Sequence, residues 1–216
     1  MYQMHDLIRI YQDNKRYILL FISIWLLALF IQISLEKGAM VIFFSANRNI
    51  FLDFIFINVS RFEEGLNYLL ASFSFLILSI PHLITLGILL LLVLSTTVML
   101  KGYFEHERPY YYFNNILESP ELVQFVEGVE INMSSDTSFP SGHTISSFAF
   151  YFFVLFFVKS KGLKTICFIM PFLVGISRIY LAQHFLKDVL AGMLIGFVIA
   201  YGCTLISMNL TKPKAV

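Results

Sequence analysis

Charge is what this chain has least of. Asp, Glu, Lys and Arg make up 13% of its 216 residues, against about 25% in an ordinary soluble domain. Hydrophobic residues reach 58%, and Phe alone occurs 24 times. A water-soluble domain of this length has too little interior to hide so much apolar surface, so lipid is the solvent its composition calls for. Nor is there an excess of one sign. A net charge of +1 supplies no bulk field for nucleic acid. Cysteine is scarce too: Cys167 and Cys203 both lie in apolar stretches. They read as small buried hydrophobes, which excludes a disulfide scaffold and a thiolate metal site. No other grouping of side chains has persuasive metal-ligand spacing, so neither a metal nor another cofactor is expected.

What the chain does have is long uncharged runs. A membrane-crossing helix needs about 20 mainly apolar residues. Tyr17 to Leu35 is the first such run, with no small-residue cleavage site after it, and reads as a retained signal anchor. Gly65 to Leu100 is uncharged throughout, and as one helix would reach roughly 54 Å, well beyond a hydrocarbon core of about 30 Å. It must fold back, and Ser79-Ile80-Pro81-His82 is the place, giving spans two and three. Thr144 to Val158, Thr165 to about Leu181, and Val189 to Leu210 supply spans four, five and six. The expected architecture is therefore an all-α polytopic bundle of about six transmembrane helices, forming a single domain over 1–216. Glu36 to Glu64, interrupted by Lys37, Arg48, Asp53 and Arg61, predicts an amphipathic segment at the membrane surface between spans one and two.

Orientation follows from basic residues near span ends. Arg9, Lys15, Arg16, the lysines of the 159–164 loop, Lys212 and Lys214 share one side, with only Asp6 and Asp13 against them. The other side carries every remaining acid. Both termini are therefore expected in the cytoplasm. In a bacterium the opposite ends face the periplasm across the inner membrane; in a eukaryote they face a lumen.

Three polar clusters break the apolar pattern. Lys101-Gly-Tyr-Phe-Glu-His-Glu-Arg108-Pro109 follows span three. Phe139-Pro140-Ser141-Gly142-His143-Thr144 precedes span four. Ser177-Arg178-Ile-Tyr-Leu-Ala-Gln-His184-Phe-Leu-Lys-Asp188 joins spans five and six. Clusters one and two flank one loop, and spans four and five return the chain to the same face, so all three converge. Lys101, Arg108 and Arg178 are three cations; Arg offers a rigid fork to phosphate oxygens and Lys a point charge. Pro140-Ser141-Gly142 opens a helix whose unpaired N–H groups and dipole favour an anion, and Gly142 permits close backbone approach. His184 and Asp188, four residues apart, share one face if helical. A carboxylate on one ring nitrogen leaves the other available as a nucleophile. His143 stands beside the anion turn, where phosphate charge favours the protonated form that suits a general acid.

These clusters resemble the three signatures of the type 2 phosphatidic acid phosphatase superfamily: K-x6-R-P, P-S-G-H and S-R-x5-H-x3-D. Lys101, Arg108, Pro109, Pro140, Ser141, Gly142, His143, Ser177, Arg178, His184 and Asp188 fill every specified position. The resemblance implies a metal-independent membrane phosphatase. His184 would attack phosphorus and form a phosphohistidine, Asp188 would orient it, and His143 would protonate the leaving group. Lys101, Arg108, Arg178, Ser141 and the Gly142 backbone would hold the phosphoryl oxygens. The partner it implies is a phosphorylated lipid in the bilayer: undecaprenyl pyrophosphate, phosphatidylglycerophosphate, phosphatidic acid or the phosphates of lipid A. Transfer of the phosphoryl group to a second lipid is the alternative enzyme reading. A transporter would instead place ionisable groups deep in its spans, whereas these sit at span ends. The acid-rich 102–139 stretch reads as a solvated face, and His106 as a surface histidine.

Overall fold

The computed structural model describes residues 4–61, 80–127 and 129–211, and among these there is helix but no strand. Helix α1 is Met4–Ser34 and α2 is Ala39–Ala46. A third helix, α3, occupies residues 50–61 up to the end of the first described stretch. Helix α4 is Ile80–Phe104, and a short turn of helix, α5 (Pro109–Tyr111), runs directly into a π-helical turn at Tyr112–Ile116. The last three helices are α6 (Gly142–Phe157), α7 (Lys161–Tyr180) and α8 (Leu186–Leu210). The expected spans one, three, four, five and six thus correspond to α1, α4, α6, α7 and α8. Of the expected break at Ser79-Ile80-Pro81-His82, the last three residues are the first turn of α4, while Ser79 and most of expected span two lie in 62–79, outside the described residues.

Within the described residues the uncharged runs form helices because lipid leaves the backbone no partner but itself. Helix α1 nevertheless begins well before the apolar run at Tyr17. Its first turns carry an exposed Arg9–Asp13 pair at 3.8 Å, for helix continues readily through polar residues where water is the solvent. Ile8–Ser34, Ile80–Phe104, Lys161–Tyr180 and Leu186–Leu210 are long and apolar enough to cross a bilayer. Helix α6 has 16 residues, about 24 Å at 1.5 Å per residue, and is shorter than a typical hydrocarbon core. Large apolar side chains also stand on the outside: Leu27, Phe30, Leu91 and Met99 are each more than 60% exposed. An exterior as apolar as the interior is the surface of an integral membrane protein.

Helix α8 is the centre of the bundle, packed most extensively on α6 and also on α4 and α1. Two glycines bring α8 against α6. A Cβ at Gly196 would lie 2.6 Å from the Ile145 carbonyl oxygen, and one at Gly192 would lie 2.8 Å from Thr144 Cβ. Small residues allow backbones in membranes to approach this closely. Aromatic rings fill the other side of the same junction. Phe21 stacks on Phe197 with centroids 4.5 Å apart, and its edge meets Phe152 at 5.3 Å. The Trp25 indole N–H donates to the Leu190 carbonyl at 3.0 Å and ties α1 to α8.

The segment expected as one amphipathic surface stretch is divided into α2 and α3. Phe44 and Phe56 both pack on the ring of Tyr180, at 5.9 and 4.6 Å. Arg48 grips Asp53 through Nε (3.2 Å) and Nη2 (3.0 Å), and the Tyr180 hydroxyl donates to Asp53 at 2.6 Å. These contacts moor α3 to the end of α7, beside the polar pocket.

Candidate active site

The three clusters meet around one cavity of about 720 Å³, whose lining includes Lys101, Arg108, His143, Arg178 and His184. Lys101 comes from the last turn of α4, His143 from the first turn of α6, and Arg178 from the last turn of α7. Helix ends deliver long side chains into shared space while the apolar spans stay in lipid.

The His184–Asp188 pair is built differently from the sequence expectation. His184 is not on a helix, for α8 begins at Leu186. Instead the chain reverses after α7 through Ala182, which adopts a left-handed φ of 51°. The Arg178 carbonyl then accepts from both Gln183 N (2.9 Å) and His184 N (3.1 Å). Asp188 reaches back across the start of α8, where its Oδ2 accepts the Phe185 N–H at 2.8 Å. That cap fixes the carboxylate beside the imidazole, with His184 Nδ1 3.6 Å from Asp188 Oδ2. Both side chains are buried. Burial pushes the His184 imidazole down to about 4, against the opposing pull of Asp188. The ring is therefore neutral at physiological pH, with Nδ1 turned to the carboxylate and Nε2 as its other nitrogen.

The second cluster is joined to the third through the backbone. Ser141 N donates to the Asp188 carbonyl at 3.1 Å, and the Thr144 hydroxyl donates to Ser141 Oγ at 2.9 Å. The Ser141 N–H is thus already committed, and the donors that α6 directs outward start at Gly142, in its first turn. Arg178, Lys101 and Arg108 all act electrostatically on His143.

Arg108 is held by the loop that it introduces. Its Nη1 donates to the Gln183 carbonyl (3.1 Å), Nη2 to the Thr137 carbonyl (3.3 Å) and Nε to Thr137 Oγ1 (3.3 Å). An isolated β-bridge between His106 and Thr137 closes the two ends of the loop together. Burial pulls the Arg108 guanidinium below its ordinary value, with neighbouring Arg178 adding to the effect and Asp188 opposing it. Three cations converging in a half-buried pocket repel one another, and an oxyanion of two or more charges relieves that repulsion.

Sequence reasoning missed several contributors. Ile57, Ser60 and Arg61 of α3 line the cavity, and Arg178 Nη2 donates to the Ser60 hydroxyl. Val129 to Met133 form the facing wall. Ser138, buried beside His184 and Asp188, stands just before the second cluster. The acidic stretch is exposed at Glu105, Glu118, Glu121, Glu127 and Asp136. Glu107 differs: it pairs with Lys37, which also lies 4.2 Å from the Tyr112 ring centroid. His106 Nδ1 lies 2.9 Å from Lys187 Nζ at the edge of the site. Both cysteines are free and buried.

Helices long and apolar enough to cross a bilayer, with a cationic pocket at their ends, define a class, the integral-membrane helix bundles. Within it the chain belongs to the PAP2 superfamily, whose family model matches residues 82–212. Among solved structures, Aquifex aeolicus LpxE is 28% identical with a TM-score of 0.63, covering 80% of this chain and 94% of that one. The first transmembrane PAP2 type phosphatidylglycerolphosphate phosphatase from Bacillus subtilis superposes with a TM-score of 0.62 over 90% of this chain and 98% of that one. At 20% identity the second likeness is one of fold. Phosphatidylglycerophosphatase B of Bacillus subtilis (strain 168) is 30% identical over 128 residues, 53% of this chain and 55% of that protein. Bacitracin transport permease protein BcrC of Bacillus licheniformis is 43% identical over 65 residues, 30% of this chain and 31% of that protein. The matched regions thus span about half and about a third of those two relatives.

Proposed function

We propose that this protein is a lipid phosphatase that releases phosphate from a membrane-held phosphomonoester or pyrophosphate through a phosphohistidine on His184. The observation that carries the reading is a buried imidazole paired with Asp188 in a cavity lined by Lys101, Arg108 and Arg178. An unprotonated nitrogen facing a cationic oxyanion site is what attack on phosphorus requires. His184 Nε2 forms the N–P bond while the bond from phosphorus to the leaving oxygen breaks. His143 gives that oxygen a proton. Lys101, Arg108, Arg178, Ser141 and the Gly142 N–H hold the three remaining oxygens, where transition-state charge is spread. Water then attacks the phosphohistidine, with His143 accepting its proton, and frees phosphate and His184.

The same reading treats the chain as one domain of six spans, with α2 and α3 at the surface and both termini cytoplasmic. In a bacterium the pocket opens to the periplasmic side of the inner membrane, where a lipid arrives sideways from the leaflet. Phosphatidylglycerophosphate, phosphatidic acid, undecaprenyl pyrophosphate and lipid A phosphates are the substrates to try. The transport name of one relative is a weaker guide, since Lys101, Arg178 and Asp188 occupy helix ends and do not line a pathway along the spans.

A phosphate-release panel over those four lipids with purified protein in detergent tests the proposal. At least one should be hydrolysed, and His184→Ala should abolish its turnover. Undiminished release by that variant refutes the mechanism. Phosphate appearing on an added lipid acceptor instead of in solution makes the protein a transferase.

A further inference from the structure

We infer that Ser138 is a positioning residue for the reacting imidazole, completing a Ser138–Asp188–His184 relay. The inference rests on the proposed role of His184. Ser138 belongs to none of the three signatures, yet it is fully buried between the two residues they supply. Its hydroxyl donates to Asp188 Oδ2 at 2.6 Å and stands 3.5 Å from His184 Nδ1. The hydroxyl is thus wedged at the junction of imidazole and carboxylate. Its own backbone is fixed as well: Ser138 N donates to the His106 carbonyl at 2.8 Å, beside the bridge that closes the loop.

The sharing of the carboxylate points the same way. Asp188 Oδ2 takes both the Ser138 hydroxyl and the Phe185 N–H, while Oδ1 is buried with no hydrogen-bond partner among the described residues. The Ser138 and Phe185 hydrogen bonds to this carboxylate therefore both fall on the oxygen that faces His184. Two donors on that oxygen disperse its charge and weaken its hold on an imidazole proton. A relay without Ser138 leaves a harder carboxylate, which holds the imidazole proton more tightly, raises the midpoint of the ring and leaves its orientation less constrained. The hydroxyl also fills the space that the ring would otherwise swing into. The bridged loop that holds Arg108 through Thr137 also holds Ser138, so the cationic pocket and the imidazole–carboxylate pair share one support.

Ser138→Ala removes one oxygen atom and tests this directly. Dioctanoyl phosphatidic acid and farnesyl pyrophosphate serve as monoester and diphosphate probes in detergent micelles. The titration of His184 is followed by NMR on histidine-labelled protein, assigned with His184→Gln. With whichever probe wild type hydrolyses, S138A should lower kcat about tenfold or more with KM within about twofold, the signature of an interaction used in the transition state. Its His184 midpoint should rise. Ser138→Thr, which keeps the hydroxyl, should recover most of the rate. Unchanged kcat and midpoint in S138A overturn the inference. So does a lower rate with an unmoved midpoint and a lower Tm, which is loss of packing alone. If H184Q keeps full turnover, it is the reading of His184 as nucleophile that fails, a result distinct from either.

Discussion

Arg108 Nη1 donates to the backbone carbonyl of Gln183 across 3.1 Å, tying the guanidinium of the first cluster to the residue next to His184. With Nη2 and Nε on Thr137, this arginine knits the long loop to the α7–α8 turn. Both regions are polar interruptions of apolar runs, and their junction makes the pocket one site.

Arg108→Lys keeps the charge and loses the fork. Three directed donors become one mobile ammonium, so the loop and the turn are no longer held in register. We expect kcat/KM to fall by about 100-fold, on the scale seen when a transition-state donor is removed, while the protein still folds. Steady-state kinetics with a thermal-unfolding control measures both. A fall of less than about threefold would show that charge alone suffices.

His184 should remain neutral well into the acid range. Burial depresses its imidazole to about 4, against an ordinary value near 6.5. The sign follows from the unfolded chain, which takes up a proton as pH falls through about 6.5, whereas the folded chain resists until about 4. Between those values the unfolded state binds more protons, so stability declines as pH is lowered through the window. NMR titration of the assigned ring should give a midpoint below 5; one near 6.5 would contradict the buried geometry.

Gly196 and Gly87 both lie within helices but should respond oppositely to alanine. A Cβ at Gly196 meets the Ile145 carbonyl oxygen at 2.6 Å and Phe148 Cβ at 2.7 Å, whereas one at Gly87 has nothing within 4 Å among the described residues. Gly196→Ala must push α8 off α6, and overpacking of that kind costs about 1–3 kcal/mol. Gly87→Ala should be neutral or gain up to about 1 kcal/mol in helix propensity. Thermal unfolding of the two variants in one detergent compares them. Equal Tm values would mean that the helix crossing is loose.

Chelation should leave turnover intact. The pocket presents Lys101, Arg108 and Arg178 to its contents, and such a field repels a divalent cation while doing the electrostatic work that one would do. Phosphate release after dialysis against EDTA, with and without added magnesium, should agree within error. Restoration of a lost rate by the metal would require a different mechanism.

The clusters were legible because a charged residue beside a lipid-soluble run needs a reason, and the chain has few such residues. Lys101, Arg108, His143, Arg178 and His184, each singled out in the sequence, line one cavity. The setting of His184 was not legible. A four-residue interval to Asp188 fits one helical face, yet Ala182 turns left-handed and α8 starts later. Ser60 and Ser138 were missed for another reason. Serine is common and interchangeable by composition, and nothing local marks Ser60 as the partner of Arg178, 118 positions away. Contacts between remote segments leave no period in either one. The division of Glu36 to Glu64 into two helices was hidden likewise, since its docking on Tyr180 depends on α7 being present.

The apolar exterior has a consequence for what folding can reward. Leu27, Phe30, Leu91 and Met99 face outward, and moving such side chains from hydrocarbon lipid into a protein interior gains almost nothing by transfer. Cohesion must come from fit: ring against ring at Phe21 and Phe197, backbone against backbone at Gly196. The outer positions are then free to drift among greasy residues through mutation, while the inner ones resist the addition of a single methyl group. Two surfaces of the same helix, indistinguishable by hydropathy, should thus age at very different rates.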